Sequence, residues 1–140
     1  MIREATIEDL GAVCALTGEL EETEFEQDPF TRIYAEKLAS EHDLVLVNDH
    51  AGRVRGYIHL RFERQLHHTG LICEVMELVV SDTARGAGLG GGLIEAAIEQ
   101  ARSRGCEDIE LTSNAKRVGA HAFYEAHGFN KTHVKLVMDL

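Results

Sequence analysis

Between Ser81 and Gly92 the chain reads Ser-Asp-Thr-Ala-Arg-Gly-Ala-Gly-Leu-Gly-Gly-Gly, with an apolar run before it and a helically spaced run after it. Glycines at such a turn let the backbone approach a bulky anion and let several amide N–H groups point outward together. The N-terminus of the following helix adds a partial positive charge. Arg85, Gly86, Ala87, Gly88, Leu89, Gly90 and Gly91 are therefore candidates for a pyrophosphate cradle. A P-loop would place Gly-Lys-Ser/Thr at the helix start, where this chain has Gly-Gly-Gly-Leu. A Gly-x-Gly-x-x-Gly pattern is formally met at Gly86, Gly88 and Gly91. The acidic residues some distance on, Asp108 and Glu110, fall inside the next strand and not at its end, where a ribose is held. The plain alternative is a glycine-rich loop that only tightens a turn.

Two carboxylates, Glu74 and Glu77, interrupt the otherwise apolar run 71–80. A charged group in such a strand is costly unless it has a partner or a function. Either can serve as a base, or as a structural hydrogen-bonding group. Three residues apart, they face opposite sides of an ideal strand, and a bulge would change that. His67 and His68 are a third candidate set. Adjacent histidines share a metal ion from a loop but not from a strand; the plain reading is two solvated side chains.

The elements that must position these groups follow from periodicity. Residues 2–5 suit a short strand, and Thr6 with Asp9 suits a helix N-cap ahead of Leu10, Val13, Cys14 and Leu20. The acidic stretch Glu19–Asp28 reads as a solvated helix end and loop, or as an attractor of amines. A second helix is expected from near Pro29 to near Ala39. Leu44–Val47 reads as a buried strand, and Asn48–Gly52 as a turn. Residues 53–62 read as the returning strand, with Val54, Ile58, Leu60 and Phe62 on one face and Tyr57, His59 and Arg61 on the other. A loop over 63–70 leads to a central strand over 71–80. Leu89, Leu93, Ile94, Ala97, Ile98 and Ala101 recur at helical spacing, and Gly105 ends that helix. Asp108–Thr112 reads as a strand, 116–127 as a helix ended by Gly128, and the alternating tail Lys131–Leu140 as a last strand. The order β-α-α-β-β-β-α-β-α-β implies a mixed sheet of the α+β class.

One domain over residues 1–140 is expected, since no Gly/Ser-rich linker or internal repeat divides the chain. Lys and Arg number 14 against 24 Asp and Glu, so the formal charge is −10. Phosphate backbones repel such a surface, which argues against nucleic acid and is compatible with a cationic amine. Three cysteines, with no Cys-x-x-Cys pair, argue against a disulfide framework and for a reducing cytoplasm. No apolar run is long enough to span a bilayer, and the N-terminus lacks a signal-peptide core.

Three segments then align with one family. Arg85-Gly-Ala-Gly-Leu-Gly90 resembles the Arg/Gln-x-x-Gly-x-Gly/Ala acetyl-CoA signature of the GCN5-related N-acetyltransferase (GNAT) superfamily. Glu77-Leu-Val-Val80 resembles that superfamily's fourth strand. Thr112-Ser-Asn-Ala-Lys-Arg117 with Ala122-Phe-Tyr-Glu-Ala-His-Gly-Phe129 resembles its motif B. Within the superfamily, Gln65-Leu-His-His68, Ser113-Asn-Ala-Lys-Arg117, Ala120-His-Ala-Phe-Tyr124 and His133 resemble the aminoalkylphosphonate N-acetyltransferases. That likeness covers residues 60–140 well and the first 55 poorly. Ser81-Asp82 departs from the proline common in relatives, and Gly90-Gly-Gly92 departs at the first helical turn, which it loosens.

The resemblance implies a twisted mixed sheet of about six to seven strands flanked by four helices. It implies acetyl-CoA as co-substrate and direct transfer to a small-molecule amine, by way of a tetrahedral oxyanion. Glu74, and after it Glu77, would take the ammonium proton through water. Tyr124 would protonate the leaving thiolate, unless it is a plain packing tyrosine. Leu78 and Val80 would hold the pantetheine through backbone N–H groups, and Val79 would hold the oxyanion. Asn114, Arg117 and Tyr124 would face the cofactor, or Asn114 would form an Asx turn. His59, His67, His68, Lys116, Arg117 and His133 are the candidates for a phosphonate. His67 and His68 would be the ligands of a divalent metal, on which the resembling enzymes are thought to depend. A homodimer is a further expectation of the family. Competing readings are a GNAT enzyme for an aminoglycoside, polyamine or amino acid, a protein acetyltransferase, and a non-catalytic acyl-CoA sensor.

Overall fold

Leu44, Val45, Leu46 and Val47 are apolar on both sides of a strand, so a layer must cover each face. The computed structural model, which describes residues 1–140, supplies both. Strand β1 (Ile2–Glu4) leads to helices α1 (Leu10–Glu21) and α2 (Gln27–Ala39). Strands β2 (Asp43–His50), β3 (Arg53–Gln65) and β4 (Gly70–Val80) follow, then α3 (Leu89–Ser103), β5 (Ile109–Leu111) and α4 (Val118–Ala126). The sheet runs β1-β2-β3-β4-β5 in chain order. Its pairs are antiparallel except β4 with β5, which are parallel and joined through α3.

Helix α3 covers one face. Its Leu93, Ile94, Ala97 and Ala101 pack against Leu44, Leu46, Ile58, Leu60, Phe62, Cys73 and Val75. Fully buried side chains such as Leu93 and Ile94 each contribute about 1.5–3 kcal/mol. Helices α1 and α2 cover the other face, where Val13, Leu16 and Tyr34 meet Val45, Val47, Tyr57 and Val79. The Tyr34 hydroxyl donates to the Thr6 carbonyl at 2.7 Å, which ties α2 to the start of the chain.

Two bulges reset the side-chain alternation. Between β2 and β3 the register shifts at Asn48/Asp49, so Asn48 pairs with Gly56 while Asp49 pairs with Val54. Val54 therefore packs on the α1/α2 side, not beside Ile58, Leu60 and Phe62 as strict alternation requires. Strand β2 also continues to His50, which confines the turn to Ala51 and Gly52. Between β3 and β4, His59 pairs with Glu77 and Leu60 with Val75, so Met76 is the extra residue.

The strand expected over Lys131–Leu140 does not form. Residues 130–140 take neither helix nor strand and lie exposed. The sheet accordingly has five strands, not six or seven. Alternation creates an apolar face, but a strand forms only where its backbone pairs with a neighbour, and residues 130–140 make no backbone hydrogen bond to the free edge of β5.

Arg3 fastens the first edge of the sheet. Its guanidinium donates to both Asp9 carboxylate oxygens at 2.9 Å and to Asp49 at 3.0 Å. Asp9 in turn accepts the Thr6 N–H at 2.8 Å, completing the capping box ahead of α1. The Arg3 hydrogen bonds outweigh burial and hold the Asp9 carboxyl below its ordinary range. Arg3→Ala is expected to cost about 2 kcal/mol in a urea unfolding experiment at neutral pH, because it leaves a buried carboxylate without its donors. A loss under about 0.5 kcal/mol, the level of an ordinary surface change, would contradict this role.

Candidate active site

Strands β4 and β5 run together for only three residue pairs, Cys73–Val75 against Ile109–Leu111. β4 continues to Val80 along β3, whereas β5 ends at Leu111. A gap therefore opens beside residues 76–80. The Ser81 N–H donates to the Arg55 carbonyl on β3 at 2.8 Å. Alternation then turns the Val79 N–H toward β3 and the Leu78 and Val80 N–H groups into the gap. The Val79 N–H, expected to meet the oxyanion, thus points to β3, and the Leu78 N–H points into the gap. The cause is the Met76 bulge, which inverts which residues of β4 face β5.

The gap leads to the glycine turn. From Arg85 to Gly91 no backbone N–H donates to any protein acceptor; the first helical bond of α3 is Gly92 N–H to Gly88. Gly86 and Gly88 have φ of +84° and +78°, which side-chain-bearing residues rarely adopt. Nothing lies within 4 Å of where a Cβ would stand at either, so the concavity is open. Gly90 and Gly91 have a different role. A Cβ at Gly90 would stand 3.3 Å from the Phe123 ring, and one at Gly91 3.2 Å from His127, so these glycines let α4 pack on the start of α3. The Arg85 side chain is exposed and pairs with Asp82 at 2.9 Å.

The same bulge brings Glu74 and Glu77 to one face. Glu74 pairs with Arg61 and Glu77 with His59, and both partners share the α1/α2 face with Tyr57. His59 Nδ1 lies 3.4 Å from a Glu77 carboxylate oxygen, and its Nε2 lies 2.7 Å from Asp43. Asp43 is buried and also has Arg61 at 3.5 Å and Lys37 at 4.0 Å. Burial alone would lower the His59 pKa, but hydrogen bonds to Glu77 and Asp43 outweigh it and raise the pKa above the ordinary 6.5. Burial would likewise raise Asp43, and the bonds from His59 and Ser40 hold it below the usual carboxylate range. The result is a buried line, Asp43–His59–Glu77, whose outer carboxylate is partly open to solvent.

Tyr124, on α4, is half-buried, with its ring 5.3 Å from Phe123 and 6.0 Å from Phe129. Burial raises its phenol above the ordinary 10, against the opposing charge of Arg117, so the phenol keeps its proton at neutral pH. Asn114 makes the Asx turn before α4, its side-chain oxygen accepting the Lys116 N–H at 2.9 Å.

The six expected phosphonate-binding residues do not converge. His59 is buried between two carboxylates and presents no free face. His133 lies in the exposed tail, bonded to its neighbour Thr132. Lys116 and Arg117 are exposed before α4. The rings of His67 and His68 lie 4.4 Å apart, tilted by 45°, in the β3–β4 turn, but do not pair as metal ligands. His68 instead lies 3.2 Å from Glu110, and it forms with Asp108 and Glu110 a set whose ligand atoms are all within 4.8 Å of one another. Asp43 and the Asp108/Glu110 pair were not singled out as site residues from the sequence. Asp43 stands just before an apolar run and Glu110 within a strand, so only the pairing of β2 with β3 and of β4 with β5 exposes their roles. A groove of about 580 Å³ between β1 and α3 lies apart from these groups, on residues such as Glu4, Glu95 and Glu99.

The acetyltransferase (GNAT) family matches residues 11–129 of this chain. The chain belongs to the GNAT acetyltransferase family. It is 37% identical to an aminoalkylphosphonate N-acetyltransferase of Salmonella typhimurium, over 99% of this chain and 90% of that protein. It is 32% identical to a glucosamine 6-phosphate N-acetyltransferase of Trypanosoma brucei brucei, over 69% of this chain and 64% of that protein. Among solved structures, a transcriptional regulator from Bacillus halodurans C-125 superposes with a TM-score of 0.93 at 28% identity, covering 100% of this chain and 99% of that one. This GNAT protein is an N-acetyltransferase, and the family implies acetyl-CoA as its co-substrate. No helix is long and apolar enough to cross a membrane.

Two outcomes are expected of this site. Gly88→Glu should abolish acetyl-CoA binding in a calorimetric titration while leaving the circular dichroism unchanged, since a carboxylate would occupy the anion's place; retained affinity would remove the turn from the cofactor site. The raised His59 pKa stabilises the fold fully below the unfolded value near 6.5 and loses that contribution as pH rises through the folded value. Urea stability should therefore decline on the alkaline side of that value, and His59→Gln should flatten the decline. An identical pH dependence in the variant would contradict the coupling.

Proposed function

We propose that this GNAT enzyme acetylates the primary amine of a small aminoalkylphosphonate, with Glu77 as the base. The observation that carries the base assignment is the Asp43–His59–Glu77 line, which ends beside the β4 segment that faces the gap. A carboxylate held by a buried histidine keeps one orientation, and orientation is what a positioned base requires. Glu74, the first choice on sequence grounds, shares the face but has no histidine to hold it; its cross-strand neighbour Arg61 pairs with Asp43 and Glu63 instead.

The steps balance on named groups. Glu77, through water, takes a proton from the substrate ammonium. The freed nitrogen lone pair attacks the thioester carbonyl carbon, and a tetrahedral oxyanion forms. The Leu78 N–H meets that oxyanion, while the Val80 N–H holds a pantetheine carbonyl. The oxyanion collapses and the C–S bond breaks. The sulfur takes a proton from the Tyr124 phenol, and the new amide releases its second ammonium proton to water. The seven free N–H groups of Arg85–Gly91 hold the pyrophosphate, with Asn114 and Arg117 on the other side of the gap.

The phosphonate part rests on the Salmonella relative. The site face is rich in carboxylates, which favour an ammonium and repel a phosphonate. His68, Asp108 and Glu110 fit a divalent cation: one nitrogen and two carboxylate donors converge there. A bound cation would supply the positive charge that a phosphonate needs. The second reading, another small amine, is favoured by that same carboxylate face and by the glucosamine 6-phosphate relatives. A mere acyl-CoA sensor would have no use for the buried line behind Glu77. The free thiols of Cys14, Cys73 and Cys106 support a cytoplasmic setting, and a homodimer belongs to the same reading.

Thiol release from acetyl-CoA, measured over aminomethyl-, 1-aminoethyl- and 2-aminoethylphosphonate, their carboxylate analogues, spermidine and an aminoglycoside, separates these readings. Turnover confined to phosphonates and lost with a chelator is the expected result; turnover on another amine would discard the phosphonate. Glu77→Gln should lower kcat by about 10²–10⁴-fold with little change in acetyl-CoA affinity. Tyr124→Phe should likewise lower kcat far more than affinity. Unchanged turnover would remove either residue from the mechanism.

A further inference from the structure

We infer that the Ser113 hydroxyl is a further cofactor contact, accepting an amide N–H of the pantetheine arm of acetyl-CoA across the gap from Leu78 and Val80. This contact presupposes the arm lying along β4, as proposed for the acetyl transfer. Two side-chain atoms in the molecule are buried without a hydrogen-bond partner in the protein, Gln65 Oε1 and Ser113 Oγ. Gln65 ends β3 and pairs with Gly70, at the far end of β4 from the gap. Ser113 lies at the gap itself. A buried hydroxyl without a partner is a cost that native structures rarely carry unless a ligand or a working role accounts for it.

The strand register sets its place. Cys73, Glu74 and Val75 pair in parallel with Ile109, Glu110 and Leu111, and there the pairing stops. Two residues past Leu111, Ser113 comes level with Glu77 where β4 and β5 are no longer joined. It therefore borders the gap on the β5 side, opposite the N–H groups of Leu78 and Val80. The turn that follows holds it there. The Asn114 side-chain oxygen accepts the Lys116 N–H at 2.9 Å, and the Asn114 carbonyl accepts the Arg117 N–H at 2.9 Å and lies 2.9 Å from His121 Nε2. The chemistry of the arm fits this position. A trans amide points its C=O and its N–H in opposite directions. An arm whose carbonyl is held by a β4 N–H presents the amide N–H to the β5 side, where it needs an acceptor. A serine hydroxyl offers acceptor lone pairs for it. The arm then lies between the parted strands as another strand would, with backbone donors on one side and the Ser113 oxygen on the other.

Calorimetric titration of Ser113→Ala tests this with two ligands, acetyl-CoA and the nucleotide half of coenzyme A without its arm. The variant should bind acetyl-CoA about tenfold more weakly than the parent does. It should bind the nucleotide half with the parent's affinity, because the cradle of Arg85–Gly91 is untouched. Without ligand, its urea midpoint should equal or exceed the parent's, since the substitution deletes a buried hydroxyl that nothing in the protein satisfies. Unchanged affinity for acetyl-CoA would overturn the contact and leave the arm on β4. A lower urea midpoint without ligand, or equal weakening for both ligands, would assign Ser113 a structural role and overturn the contact as well. A parent that binds both ligands equally would overturn the placement of the arm, and the contact with it.

Discussion

A single extra residue, Met76, sets the geometry on which the rest of the site depends. Without the bulge, alternation along β4 would send Glu77 to the α3 side with Cys73 and Val75, into the apolar core. With it, Glu77 turns onto the face that holds His59, and the N–H groups of Leu78 and Val80 turn from β3 toward the gap. The bulge thus moves a carboxylate and two donors to the same opening in one step. The cost is a local break in the β3–β4 ladder, where Met76 has no partner.

The gap itself is a second consequence of topology. β4 and β5 are parallel and joined through α3, so the turn that starts α3 must begin at the end of β4. That places the unpaired N–H groups of Arg85–Gly91 directly beyond the N–H groups of Leu78 and Val80. An extended ligand with carbonyls at one end and phosphates at the other meets donors along its whole length. Gly90 and Gly91 contribute from behind, because a side chain at either would push α4, and Tyr124 with it, away from the gap.

Much of this was legible in the residues. Apolar periodicity located all four helices and the central strands, because those elements bury a face and burial leaves a pattern. The cradle was legible because its glycines are forced by positive φ at Gly86 and Gly88. The side on which each β4 residue lies was not legible, since a bulge inverts alternation and leaves no mark in residue types. His59 read as a candidate for a phosphonate because a histidine on a strand face carries no sign of the partner opposite it; Asp43 and Glu77 become its partners only through strand pairing. The tail shows the converse. Its apolar alternation is a strand pattern, yet residues 130–140 form no strand.

The central claim is that acetyl-CoA lies along β4 and ends on the glycine turn, and amide chemical shifts with hydrogen exchange test it most directly. On titration with acetyl-CoA, the amides of Leu78, Val80 and Arg85 through Gly91 should shift together and gain protection, while the Val79 amide, already bonded toward β3, should stay protected throughout. Saturating acetyl-CoA that leaves the Arg85–Gly91 amides unshifted and exchanging freely would contradict the account.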